Sequence, residues 1–173
     1  VVEYGTTNRP DQANVQPVAW CIDTWALGID GVLPWQTIGN EQSWKKGDEL
    51  SLFYPRRSGE SGPVPSIRLK AYRRGQQDVE YLALAAQGLG VPRWELGQMV
   101  RETLGLNGST ARGVRESTNN AVNEDAGRVA YGDLLPQEFD ALRKQVAARI
   151  PAAMDRPLHA IIEQLPPRRH VGN

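Results

Sequence analysis

The chain has 173 residues, 40% hydrophobic and 23% charged, with 20 basic and 20 acidic side chains balancing to a formal net charge of zero. That balance excludes a general electrostatic attraction to nucleic acid or to an anionic membrane. The single cysteine, Cys21, excludes an intrachain disulfide and a cysteine-rich metal site, and no apolar run approaches the roughly 18 residues of a membrane span.

Residues 1–5 are short and apolar and read as the tail of a strand, broken by a polar turn at residues 6–10. The start has no initiator Met and none of the basic-then-apolar pattern of a signal peptide, so the expectation is a chain that begins inside a longer protein. Residues 15–27 predict a helix: Asn14 suits an N-cap, Pro17 falls in the first turn, and Val15, Val18, Ile22 and Ala26 recur at helical spacing. Gly28 suits the stop. Residues 30–38 predict a strand, with Pro34 removing one ladder donor. Strand, helix, strand is the pattern of a parallel sheet, and two strands do not enclose a core, so further strands are expected from elsewhere.

Residues 39–62 form a connection longer than usual and predict a functional loop. Ser66 caps a helix over 67–74, Gly75 weakens it, and a second piece continues over 78–88 with Val79, Leu82, Ala86 and Leu89 as its stripe. Pro92 opens a helix to about residue 106. Residues 107–133 are polar and rich in small side chains, reading as a long loop. Residues 136–150 predict an amphipathic helix with Phe139, Leu142 and Val146 on one face. Pro151 is expected to open a last helix to about residue 165. The expected fold is α/β, helix-rich overall: the end of a (β/α)₈ barrel over residues 1–90, then a helical extension over 91–173.

Three stretches carry a family resemblance. They are residues 20–35, closing on Asp30-Gly31-Val32-Leu33-Pro34-Trp35; Gly47-Asp48-Glu49 leading into Leu52-Phe53-Tyr54-Pro55; and Ser66-Ile67-Arg68 through Arg73-Arg74-Gly75 to Asp78-Val79-Glu80-Tyr81-Leu82. Together they resemble the C-terminal region of glycoside hydrolase family 123 proteins, also classed as domain of unknown function 4091. The resemblance covers about residues 1–90. Four positions depart from the pattern: Pro34 for an aromatic residue, Glu49 for a second Gly, Arg74 for Asp and Val79 for Tyr.

The resemblance implies a retaining β-N-acetylgalactosaminidase in which the substrate's own acetamido oxygen attacks the anomeric carbon. This is an exception to the usual pair of protein carboxylates. It places the family's Asp-Glu pair on an earlier strand, before residue 1, so this chain alone is expected to be inactive. No cofactor is implied. The implied partners are an N-acetylhexosamine-containing carbohydrate and the rest of the same protein, and the resemblance favours an extracytoplasmic setting.

Trp35, at the C-terminal end of the second strand, is the leading sugar-contact candidate, since barrel sites assemble at that end and an indole suits a sugar's apolar face. A barrel-core tryptophan is the competing reading. Trp44 is a second platform or a loop anchor, and Tyr4 a third aromatic at a strand end. Asp48-Glu49 reads as a solvated loop corner. Arg68, Arg73, Asp78 and Glu80 read as a structural ion-pair network, with a bend at Gly75 bringing Arg73 to Asp78. His159 and His170 have no partners at metal spacing, and Cys21 reads as a buried, inert thiol. Two other functions stay open: a non-catalytic carbohydrate-binding or scaffold protein, and a helical interaction module built on residues 92–165.

Overall fold

The structure, a computed structural model, describes residues 1–5, 7, 12–34, 37–38, 41–46, 51–54, 56, 59–106, 131 and 134–154, and of residues 44–46 and 151–154 the backbone only. Strand β1 (Val2–Gly5) buries Glu3 and Gly5 and exposes Val2 and Tyr4, the alternation of a pleated strand. It pairs in parallel with β2 (Gly31–Pro34), setting Val2 beside Gly31, Tyr4 beside Leu33 and Gly5 beside Pro34. Pro34, with no N–H to give, closes the strand rather than interrupting it.

Helix α1 (Val15–Ala26) joins the two strands, as the sequence pattern predicts. Its start differs from expectation. Asn14 has φ −65° and ψ −3°, and its side chain makes no capping bond; a capping side chain reaches back only from an extended backbone. Gly28, at φ 82°, follows the helix end in a conformation that side chains other than glycine rarely take. Every residue from Gln16 to Ala26 is buried, so α1 is covered all round rather than along one stripe.

The connection over residues 39–62 is not a bare loop. It carries helix α2 (Glu41–Lys46) and strand β3 (Phe53–Tyr54), which pairs antiparallel with β4 (Val64–Pro65). The backbone N–H groups of Leu52 and Phe53 donate to the Thr37 carbonyl at 3.1 and 3.0 Å, and Ser66 N–H donates to the Leu52 carbonyl at 2.8 Å. The hairpin therefore hangs from the chain just beyond β2.

Helix α3 (Ile67–Leu89) is one unbroken helix. Ser66 caps it as expected, accepting from Leu69 N–H at 3.3 Å, and Gly90 ends it at φ 66°. The helix continues through Gly75 without a break. Gly75 faces α1, where an added Cβ would lie 2.9 Å from both Cβ and Sγ of Cys21. The glycine permits close approach of two helices. Pairings advance in the same direction along both: Trp20 meets Tyr72, Ile22 faces Asp78 and Leu82, and Thr24 and Trp25 face Val79 and Glu80. Helices α1 and α3 thus run parallel.

Helix α4 (Arg93–Thr103) starts after an extended Pro92 and packs on the end of α1 through Gly97. Helix α5 (Pro136–Met154) does not stop before Pro151 but runs through it. One lost N–H bond near a helix end is tolerated when the rest of the helix is docked. Phe139, Leu142 and Val146 are its buried stripe, as the spacing predicts, each contributing about 1.5–3 kcal/mol by burial. These residues join Trp20, Ile22, Leu82 and Val100 in one core, so the N- and C-terminal segments share it.

The architecture is helix-rich α/β. Among the described residues the strands form two two-stranded sheets and no closed barrel; closure needs every strand edge paired. Residues 107–130, expected as loop, and 155–165, expected as helix, lie outside the described residues.

Candidate functional site

The chain just beyond β1, strand β3 and the first turns of α3 meet in a buried polar cluster. Thr7, two residues beyond β1, shares a hydrogen bond of 2.8 Å with the hydroxyl of Tyr72. Arg68, one helical turn before Tyr72, donates to the hydroxyl of Tyr54 in β3. Thr7, Arg68 and Tyr72 are buried and Tyr54 is half-buried. Trp20 sets its edge against the Tyr72 ring at a centroid distance of 6.1 Å. Burial pushes the Tyr72 hydroxyl up from its ordinary value of 10.0, with the bond to Thr7 acting against it. Among the described residues the cluster holds two phenols, a hydroxyl and a guanidinium, groups that supply fixed hydrogen bonds and positioning.

Beside it lies the outer face of the strand pair. Val2, Tyr4 and Leu33 are 58, 42 and 55% exposed and share that face, while α1 covers the opposite one through Glu3. The Thr24 hydroxyl donates to the Glu3 carboxylate at 2.8 Å. Tyr4 therefore stands as an exposed aromatic one residue from the end of β1. Trp35 lies outside the described residues, and Trp44 falls in α2, where only the backbone is described.

The predicted polar network is only partly assembled. Asp78 is clamped by Arg143 of α5, whose Nε and Nη2 donate to its two carboxylate oxygens at 2.9 and 2.7 Å. Arg74, not Arg73, adds a contact at 3.5 Å. An unbroken helix explains this: i and i+4 share a face and i and i+5 do not, and Arg73 is exposed. Bonding to Asp78 raises the Arg143 guanidinium above its ordinary value. Arg68 belongs to the strand-end cluster instead, and Glu80 lines the mouth of a different cavity.

That cavity, about 400 Å³, opens between α1, the start of β2 and α3, and is lined by Cys21, Trp25, Val32, Gln76, Val79 and Glu80 among others. It lies at the end of the strand pair away from the cluster. The Cys21 thiol is pushed up to about 12, by burial first and by the charge of Asp78 second, so it is no nucleophile near neutral pH.

Sequence reasoning missed a second buried network. Asp23, fully buried, pairs with Arg101 of α4 and accepts from the Tyr131 hydroxyl at 3.4 Å. Arg101 also donates to the Leu106 carbonyl at 2.6 Å, and Tyr131 N–H donates to the Gln16 side chain at 2.7 Å. The one available signal was a charged residue inside an otherwise apolar helix. Among the described residues no group of three or more His, Cys, Asp and Glu side chains could hold a metal ion, and no helix is long and apolar enough to cross a membrane.

No family model, no curated protein and no solved structure matches the chain. The functional reading therefore rests on the residues and their arrangement.

Proposed function

We propose that the chain supplies one sector of a glycoside-hydrolase-like (β/α)₈ barrel, with a sugar-facing surface at the C-terminal ends of its strands. The reaction implied is the substrate-assisted hydrolysis of a β-N-acetylgalactosaminide. The supporting observation is the one-sided layering of the parallel strands. Helices α1 and α3 run parallel to one another, and Thr24, Val32 and Val79 line a common cavity, so both helices lie on one side of the strand pair. Val2, Tyr4 and Leu33 are exposed on the other. Parallel sheets bury both faces, and in a barrel the face away from the helices is the interior, whose top layer meets the substrate. Tyr4 holds that position here, and Trp35 follows the end of β2 in the chain.

As the resemblance implies, this sector contributes binding and the reacting carboxylates come from other strands. The test is titration of the chain with methyl N-acetyl-β-galactosaminide, followed by NMR at the Tyr4 ring, beside an assay with the 4-nitrophenyl glycoside of the same sugar. Saturable binding in the millimolar range, about 4 kcal/mol, is expected, weakened several-fold in Tyr4→Ala, with no turnover. Equal binding by wild type and Tyr4→Ala would remove the sugar surface. Turnover by the chain alone would show that it carries its own acid and overturn the division of labour.

A further inference from the structure

We infer that Arg68 and Tyr72 are positioning residues, which lock the segments at the C-terminal ends of the strands into one arrangement against α3. The functional half of this inference rests on the sugar-binding reading above. Two segments are held on this helix and a third is tied to one of them. The chain beyond β1 is held at Thr7 by the Tyr72 hydroxyl. Strand β3 is held at Tyr54 by Arg68. The chain beyond β2 is tied to the same strand through the Thr37 carbonyl, which takes both Leu52 N–H and Phe53 N–H.

Attachment of α3 to the core does not need these bonds. The helix is already docked by Gly75 against Cys21 and by buried Leu82, Ala85 and Ala86. Apolar burial is non-directional and fixes separation; hydrogen bonds fix direction as well. The Tyr72 hydroxyl and the Arg68 guanidinium each hold one of those segments, so they bear on where the segments point. A binding surface assembled from separate segments keeps its affinity only while they hold their relative places. Tyr4, three residues before Thr7, is governed by the first of these pins.

The test uses Tyr72→Phe, which keeps the ring against Trp20, Thr7→Val, which removes the Thr7 hydroxyl's bond and leaves its backbone bond, and the double variant. Amide hydrogen exchange and the affinity for methyl N-acetyl-β-galactosaminide are measured on each. Exchange at residues 3–7 is expected to quicken by about 5–10-fold in Tyr72→Phe, as for loss of a hydrogen bond, by less in Thr7→Val, where the Thr7 backbone bond to the Tyr72 hydroxyl remains, and by no more in the double than in Tyr72→Phe, because both act on one shared contact. Arg68→Lys is expected to act in the same way on residues 52–54. Amides of α4 and α5 should not change, and sugar affinity should fall without a matching loss of melting temperature. Unchanged exchange at residues 3–7, or a uniform rise across all helices, overturns the inference. If the wild-type chain binds no sugar, the carbohydrate reading falls by itself, and the exchange pattern still decides whether the pins exist.

Discussion

The close approach of α4 to the end of α1 at Gly97 predicts a substitution whose effect runs against helix propensity. Gly97 lies in the interior of α4, where alanine is ordinarily favoured by about 1 kcal/mol. Here an added Cβ would stand 2.6 Å from the Ala26 carbonyl oxygen, 3.0 Å from its Cα and 3.1 Å from its carbonyl carbon. All three are backbone atoms, so no side chain can rotate away, and α4 must lift from the end of α1. Lifting it lengthens the bonds from Arg93 to the Trp25 and Ile29 carbonyls, both now 2.7 Å, and strains the Arg101–Asp23 pair. Overpacking of a close-packed site costs about 1–3 kcal/mol, and this one, with backbone on the far side, belongs at the upper end. Against a propensity gain of about 1 kcal/mol, Gly97→Ala is expected to destabilise by about 2 kcal/mol. For a chain of this size that is a fall of about 4–8 °C in Tm. Thermal and urea unfolding by circular dichroism would measure it, with Gln98→Ala, on the exposed side of the same helix, as the control. A Gly97→Ala variant as stable as wild type, or more stable, would refute the close α1–α4 contact.

Two further outcomes follow from buried polar groups. Arg143→Met removes the two-point clamp and leaves Asp78 charged and nearly buried, at an expected cost of about 3 kcal/mol, whereas Arg73→Met on the same helix as Asp78 should change stability by under about 0.5 kcal/mol; urea midpoints separate the two. Cys21 titrates at about 12 in the folded chain against an ordinary 9.0, so above pH 9 the unfolded chain loses the thiol proton while the folded chain keeps it. The contribution is complete below pH 9 and declines at about 1.4 kcal/mol per pH unit as the pH rises toward 12, and Cys21→Ala should remove that part of the slope in unfolding measured across this window.

Local chemistry was legible and long-range pairing was not. The β1–α1–β2 order follows from apolar spacing and turn residues, and Ser66 and Gly28 mark ends that backbone geometry requires. The α5 stripe follows from the 3.6-residue period. Gly75 misled, because a glycine that loosens a helix and one that admits a neighbouring helix look the same in sequence; the difference lies in Cys21, 54 positions away by number. Asp78 found Arg143 on a helix whose placement no spacing rule predicts, and Arg101 found Asp23 in the same way. At the candidate site Tyr4 was legible as an aromatic near a strand end. The pinning roles of Tyr72 and Arg68 were not, since their partners Thr7 and Tyr54 are ordinary polar residues until the fold brings them together.

The complete burial of α1 has a consequence for synthesis. The helix precedes α3, α4 and Tyr131, which cover it, and is therefore made before them. Until they are made, Val18, Trp20, Ile22 and Trp25 lack the neighbours from α3, α4 and α5 that share their core in the folded chain. A nascent chain halted before α3 is thus a natural client for chaperones and prone to clump. Truncations made from the C-terminal side should lose solubility long before they lose the strand pair itself.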